Sequence, residues 1–275
     1  MFNVILVVNI GIYNLLNRKI KMRNLLLITI LMFMGINLIA FADEPLQYGE
    51  LAIIEDSKGN YDKAIEYINL AISERSNDCR LYNIRAVIRE DTEDYSGAMQ
   101  DYNTALSLNP EHAKAYYNRA NLYVHLEKYD NALNDFNMAI KFSPDSDSYN
   151  NRGLLRMNLG DYEGAIYDFT KSISLNPKSE SAYYNRGYIY YLLNKLEKAI
   201  PDFTTAIKSE AQNPDAYYYL GISNAILGKK DEGSTDLNLA KEQYLELNNL
   251  NGYQNCIQKI NIIKNNEYNY KNLLR

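Results

Sequence analysis

This chain has no tryptophan, and only two cysteines and two histidines in 275 residues. Those shortages exclude much chemistry. A metal site needs three or four converging ligands. His112 and His125 stand without a His-Glu-x-x-His pattern or a paired-cysteine spacing. Neither a Gly-x-Ser-x-Gly elbow nor a phosphate-binding loop occurs. The expectation is a protein that is not an enzyme and holds no metal or cofactor. A basic surplus is missing too, with 29 Lys and Arg against 34 Asp and Glu. Four of the basic residues (Arg18, Lys19, Lys21 and Arg23) lie within 1–42, which holds no acid. The remainder therefore carries 25 basic and 34 acidic side chains, a formal charge of −9. Neutralising phosphates takes Lys and Arg clusters, so nucleic acid is not an expected partner. No β-strand alternation appears.

What the chain has is self-similarity. Tyr116-Tyr117-Asn118-Arg119-Ala120 returns as Tyr149-Asn150-Asn151-Arg152-Gly153 and as Tyr183-Tyr184-Asn185-Arg186-Gly187. Tyr129, Ala132, Asp135-Phe136, Ala139 and Pro144 return as Tyr162, Ala165, Asp168-Phe169, Ser172 and Pro177. A fixed period of about 34 residues marks a solenoid. Small residues recur at Ala52, Ala86, Ala120, Gly153, Gly187 and Gly221, and again twelve or so positions on, from Ala64 to Gly233. Between that second small residue and a third sits a large apolar one: Ile68, Tyr102, Phe136, Phe169, Phe203 and Leu237. Small residues let helix backbones approach, and the large residue fills the space between repeats.

The units are 45–78, 79–112, 113–145, 146–179, 180–213 and 214–247. Each half-unit has apolar residues at three- and four-residue spacing and reads as a helix. Breaks fall at Gly59-Asn60, Glu93-Asp94, Glu127-Lys128, Gly160-Asp161, Asn194-Lys195 and Gly228-Lys229. Pro110, Pro144 and Pro177 stop second helices. Pro201 stands inside the fifth unit's second helix, where it removes a backbone donor and predicts a kink. The next linker has its proline late, at Pro214, which predicts a looser junction.

The pattern resembles the tetratricopeptide repeat family over six consecutive units, residues 45–247. The resemblance implies an all-α fold, a right-handed superhelical solenoid of helix-turn-helix repeats. Tyr48, Tyr82, Tyr116, Tyr149, Tyr183 and Tyr217 stand where the family has Trp. It also implies a concave groove lined by first-helix residues. The candidate protein-binding residues are then Asn83, Tyr117, Asn118, Asn121, Asn150, Asn151, Tyr184, Asn185, Tyr188 and Tyr218. Asn amides pair with an extended peptide backbone, and Tyr gives rigid contact area with a polar tip. The alternative is compositional bias, since Asn and Tyr abound throughout. The family's carboxylate clamp is matched only at Asn118, Asn151 and Asn185, so chaperone-tail binding is not implied.

Arg85, Arg119, Arg152 and Arg186 precede the small residue of the first helix, and Asp101, Asp135, Asp168 and Asp202 lie sixteen residues later. An ion pair within each repeat would fix the helix register; a functional charged stripe is the alternative. The sixth unit keeps Asp236 but has Leu220, which leaves that acid without its arginine. Cys79 and Cys256 lie nearly five repeats apart, beyond disulfide reach.

Residues 22–42 read as a secretory signal: a basic start, an apolar stretch from Leu25, and Ala40-Phe41-Ala42 before Asp43. Cleavage after Ala42 would export the protein to the periplasm or cell surface. Anchoring to the membrane by residues 24–42 is the alternative. With Met22 opening that segment, 1–21 read as an upstream extension. Within 248–275, a capping helix at about 252–265 is expected, with Tyr253, Ile257, Ile260 and Lys264 on one face and Ile263 beside it, followed by a mobile tail. The leading functional expectation is an exported scaffold with a protein or peptide partner. Self-association as a structural solenoid and glycan binding are the alternatives.

Overall fold

The computed structural model describes residues 45–208 and 213–265, with side chains from Tyr48 onward. The signal or anchor segment, the upstream extension and the tail lie outside the described residues. The described residues form thirteen helices and no strand. No helix among them is long and apolar enough to cross a membrane.

Helices α1 (Pro45–Ser57) and α2 (Tyr61–Glu74) form one compact unit that ends at Ser76. Ala52, Ala64, Ile68 and Ala71 are its buried residues, and Tyr48 stacks on Tyr67 at 6.2 Å between centroids.

The second unit, from Asn77, holds four further pairs and an extra helix after a fifth. These are α3 (Cys79–Asp91) with α4 (Tyr95–Leu108), α5 (Ala113–His125) with α6 (Tyr129–Phe142), and α7 (Ser146–Asn158) with α8 (Tyr162–Leu175). Then come α9 (Glu180–Leu192) with α10 (Leu196–Ala206), α11 (Pro214–Ile226) with α12 (Lys230–Glu246), and finally α13 (Leu250–Lys264). Each helix packs on the one before it and the one after it. Successive first helices, α3, α5, α7, α9 and α11, also touch one another, whereas successive second helices do not. The first helices therefore form the inner row of this unit. The second helices splay apart on its outer side.

The turn between helices of a pair falls at each of the six breaks read from the sequence. One residue there takes a left-handed conformation to end the first helix: Gly59, Glu93, Glu127, Gly160, Asn194 or Gly228. Glu93 (φ 61°) and Glu127 (φ 57°) do so without the freedom of glycine, at a cost of about 1 kcal/mol each. Side-chain caps start many helices. Asp94 and Asp161 accept from the Gly97 and Gly164 amides, and Asp145, Asn213 and Asn249 do the same for α7, α11 and α13.

The knob-and-hole code is the core. Ile68, Tyr102, Phe136, Phe169, Phe203 and Leu237 are all fully buried. Tyr102 packs with Leu122 of the next first helix, Phe136 with Leu155, and Phe169 with Ile189. Tyr102, Phe136 and Phe169 thus each join one repeat to the next. The small residues are needed for this: a methyl added at Gly153 would sit 2.9 Å from the Phe169 ring. Pro201 lies inside α10, which runs 11 residues where α4, α6 and α8 run 14.

Helix α13 covers the last pair, but with a different face from the one expected. Its buried stripe is Gly252, Cys256, Lys259, Ile260 and Ile263; Tyr253 and Ile257 are half-buried and Lys264 is exposed. Ile260 and the neighbouring Ile263 are buried as expected, and the stripe is turned towards Gly252, Cys256 and Lys259. Gly252 sets the true face, because it must lie against Tyr244, whose ring would be 2.5 Å from any added Cβ. Cys79 and Cys256 are both free thiols.

Candidate protein-binding face

The inner row is held in register by ion pairs on its other side. Arg85 donates from Nε and Nη2 to the two oxygens of Asp101 at 2.8 and 2.6 Å. Arg119 grips Asp135 in the same way (2.6 and 2.9 Å), Arg152 grips Asp168 (2.9 and 2.6 Å), and Arg186 grips Asp202 (2.8 and 2.7 Å). The pairing within each repeat is as expected. Its geometry is two-pronged, which fixes angle as well as distance. The bond to Asp101 holds the Arg85 guanidinium even more firmly protonated than usual, and Asp202 does so for Arg186.

The sequence reading missed three parts of this device. Tyr82, Tyr116, Tyr149 and Tyr183 lie under the four guanidinium groups, 5.4 to 5.7 Å from ring centroid to carbon. Arg89 and Arg156 add a second cation to Asp101 and Asp168, each at 2.8 Å. The free Nη1 of the main arginine reaches back to the preceding second helix: Arg119 to Asn103, Arg152 to Asn137 and Arg186 to Thr170. A repeated Asp-aromatic-Asn/Thr tripeptide carried that signal (Asp101-Tyr102-Asn103, Asp135-Phe136-Asn137, Asp168-Phe169-Thr170). Arg119, Arg152 and Arg186 therefore each tie three helices together.

On the exposed side of the row, the expected residues fall into two groups. In the middle, Asn118 Nδ2 donates to Asn83 Oδ1 at 3.1 Å across two repeats. Asn151 Nδ2 donates to the Tyr117 hydroxyl at 3.1 Å and to Asn121 Oδ1 at 3.0 Å, again across two repeats. Asn150 leans on Asn151 at 3.4 Å. Lys114 Nζ sits 4.5 Å over the Tyr117 ring. Further along, Tyr184 stacks on Tyr188, and Tyr188 meets Tyr219 at 4.9 Å. Tyr191 and Tyr218 join at 5.0 and 5.3 Å from Tyr219. Burial pushes the Tyr218 phenol up to about 12 and raises those of Tyr184 and Tyr219 as well, so these three phenols stay uncharged at ordinary pH. Asn83 and Asn185 are each only 8% exposed, so they support the face more than they display it. Tyr219 and Tyr191 belong to the cluster as much as Tyr184, Tyr188 and Tyr218 do. Among the described residues no group of acids, histidines and cysteines converges to hold a metal.

Models of the tetratricopeptide repeat match residues 113–146 and 181–212, and 48–78; a related TPR repeat model matches 91–126 and 153–194. Together these cover more than half of the chain. The protein belongs to the tetratricopeptide repeat family. Such arrays are, as a class, scaffolds for protein interaction. Similar TPR folds occur in pilF of Pseudomonas aeruginosa, with TM-score 0.68, 18% identity, and 76% of this chain and 95% of that one covered. PilW, a type IV pilus biogenesis factor, gives 0.66 at 17% identity, covering 78% and 100%. YrrB, a TPR protein with an unusual peptide-binding site, gives 0.56 at 23%, covering 64% and 91%. At these identities the likeness is one of fold. No curated protein matches the sequence.

Proposed function

We propose that the inner row from Asn83 to Tyr218 holds an extended segment of a partner protein, and that the chain is a non-enzymatic scaffold acting outside the cytoplasm. The observation that carries this is the bonding of Asn83 to Asn118 and of Asn151 to Tyr117 and Asn121. Polar side chains on successive first helices are fixed by each other before any partner arrives. Ordering them costs little further entropy on binding. Packed helices lie about 8–10 Å apart, and an extended chain advances about 3.3 Å per residue. Each repeat would therefore meet the segment about every third residue. The Tyr cluster gives that segment an apolar anchor at one end.

The test is a peptide selected from a random display library on the whole protein. Its affinity is then compared between wild type and an Asn118→Ala, Asn151→Ala double variant that melts as a folded protein. A loss of tenfold or more supports the reading. Equal binding by the variant, or failure to select any peptide, counts against it. The export part of the proposal rests on residues 22–42 alone. N-terminal sequencing of the protein from the cell envelope checks it; a terminus at Asp43 is expected, and an intact segment recovered in the cytoplasm would contradict it.

A further inference from the structure

The sixth repeat lacks the arginine that ties the second to the fifth, and a recess of about 540 Å³ opens where that arginine's partners would gather. Its walls include Thr204, Leu220, Asn224 and Asp236. These are equivalent, position for position, to the arginine device of the earlier repeats. Asp236 corresponds to Asp101, Asp135, Asp168 and Asp202. Thr204 corresponds to Asn103, Asn137 and Thr170. Leu220 stands where Arg85, Arg119, Arg152 and Arg186 stand. Asn224 takes the place of Arg89 and Arg156 and donates to Asp236 Oδ2 at 2.9 Å. It is only 5% exposed, and its Oδ1 has no hydrogen-bond partner. Thr204 donates its own hydrogen to the Ile200 carbonyl, which leaves its oxygen as an acceptor. At the rim, Lys229 pairs with Glu232 at 3.4 Å and so is turned to its own neighbour. Among the described lining residues Lys229 is the one cation, and it is paired to Glu232 while Asp236 has only the Asn224 amide.

We propose that this recess receives an arginine side chain presented by a partner protein, its guanidinium bridging Asp236, Thr204 and Asn224. The chain's own repeats supply the template. Arg186 spans Asp202 and Thr170 with one guanidinium, at 2.7 and 3.0 Å. A carboxylate, a hydroxyl and an amide oxygen lining one recess suit the five donors of a planar fork better than the point charge of a lysine. Burial raises the Asp236 carboxyl above its usual range, against the pull of the Asn224 amide, as expected of an acid without its cation. This site draws on α10, α11 and α12, through residues other than those named on the exposed side of the inner row.

The probe is the capped pentapeptide Gly-Gly-Arg-Gly-Gly, titrated into the whole protein by two-dimensional NMR. The same peptide with citrulline in place of arginine, and free L-arginine, are the comparisons. The arginine peptide should give saturable shifts at Thr204, Asn224 and Asp236. Citrulline should weaken them at least tenfold. Leu220→Arg should abolish them by filling the recess from within, and Asp236→Asn should weaken them at least tenfold should the first variant fold poorly. Absence of saturable shifts, equal binding of citrulline, or undiminished binding by these variants overturns the proposal. Tighter binding of free L-arginine than of the peptide overturns its assignment to a protein-borne side chain.

Discussion

The fourth and sixth helix pairs solve one problem in two ways. In the fourth, α7 is locked to α8 by Arg152 and Arg156 converging on a fully buried Asp168. In the sixth, Leu220 replaces the arginine, and α11 meets α12 backbone to backbone: a methyl on Gly233 would lie 2.6 Å from the Gly221 carbonyl oxygen. Asp236 is left with an amide instead of a guanidinium. The comparison teaches that the repeat period specifies helix placement, while the bond that fixes each pair is free to change. Where it changes, polar groups once used internally become available to a partner.

The largest expected effect comes from cutting the charged lock. Asp168→Ala would leave two arginines without their carboxylate and should cost about 3–5 kcal/mol in urea unfolding. Asp236→Ala, at the equivalent position, should cost about 1 kcal/mol, because it removes an ordinary hydrogen bond. Equal costs would erase the contrast. Next, Gly233→Ala should cost about 2 kcal/mol by overpacking the close backbone approach, although Ala132 and Ala165 occupy the same repeat position. A neutral result would show that α11 and α12 have slack.

Glu127→Gly should raise stability by about 1 kcal/mol, since only the left-handed turn is relieved; a decrease would mean that the Glu127 side chain contributes a contact. The smallest effect is a pH dependence. Burial raises the folded Asp236 carboxyl above its value in the unfolded chain. Its contribution is therefore most favourable below the unfolded value and is lost as pH rises through the folded one. Wild type should gain on Asp236→Asn as pH is lowered from neutral towards 4. The opposite slope in paired thermal melts would show that the acid is charge-stabilised.

Much of the architecture was legible because the period is strong. Ile68, Tyr102, Phe136, Phe169, Phe203 and Leu237 were picked out by position and are all buried. The turns and the Arg–Asp pairing within repeats were legible for the same reason, since equivalent positions share one environment. What depends on the offset between repeats was not. The bond from Asn151 to Tyr117, the reach of Arg152 to Asn137 and the stacking of Tyr149 under Arg152 all need the rise and rotation between helices. Helix α13 lies outside the period, and hydrophobicity found only part of its buried face: Ile260 and Ile263, but not Gly252 and Cys256. The candidate face was read from family positions. The structure distinguishes displayed members such as Asn118 from supporting ones such as Asn185, a distinction of burial that spacing does not carry.

The central claim is that the inner row binds an extended polypeptide. The most direct measurement is hydrogen exchange of the whole protein with and without a library-selected peptide at saturation. The account predicts new protection along α5, α7, α9 and α11, around Asn118, Asn151, Tyr188 and Tyr218, with the outer helices α6 and α8 unchanged. Protection confined to the outer helices would contradict it.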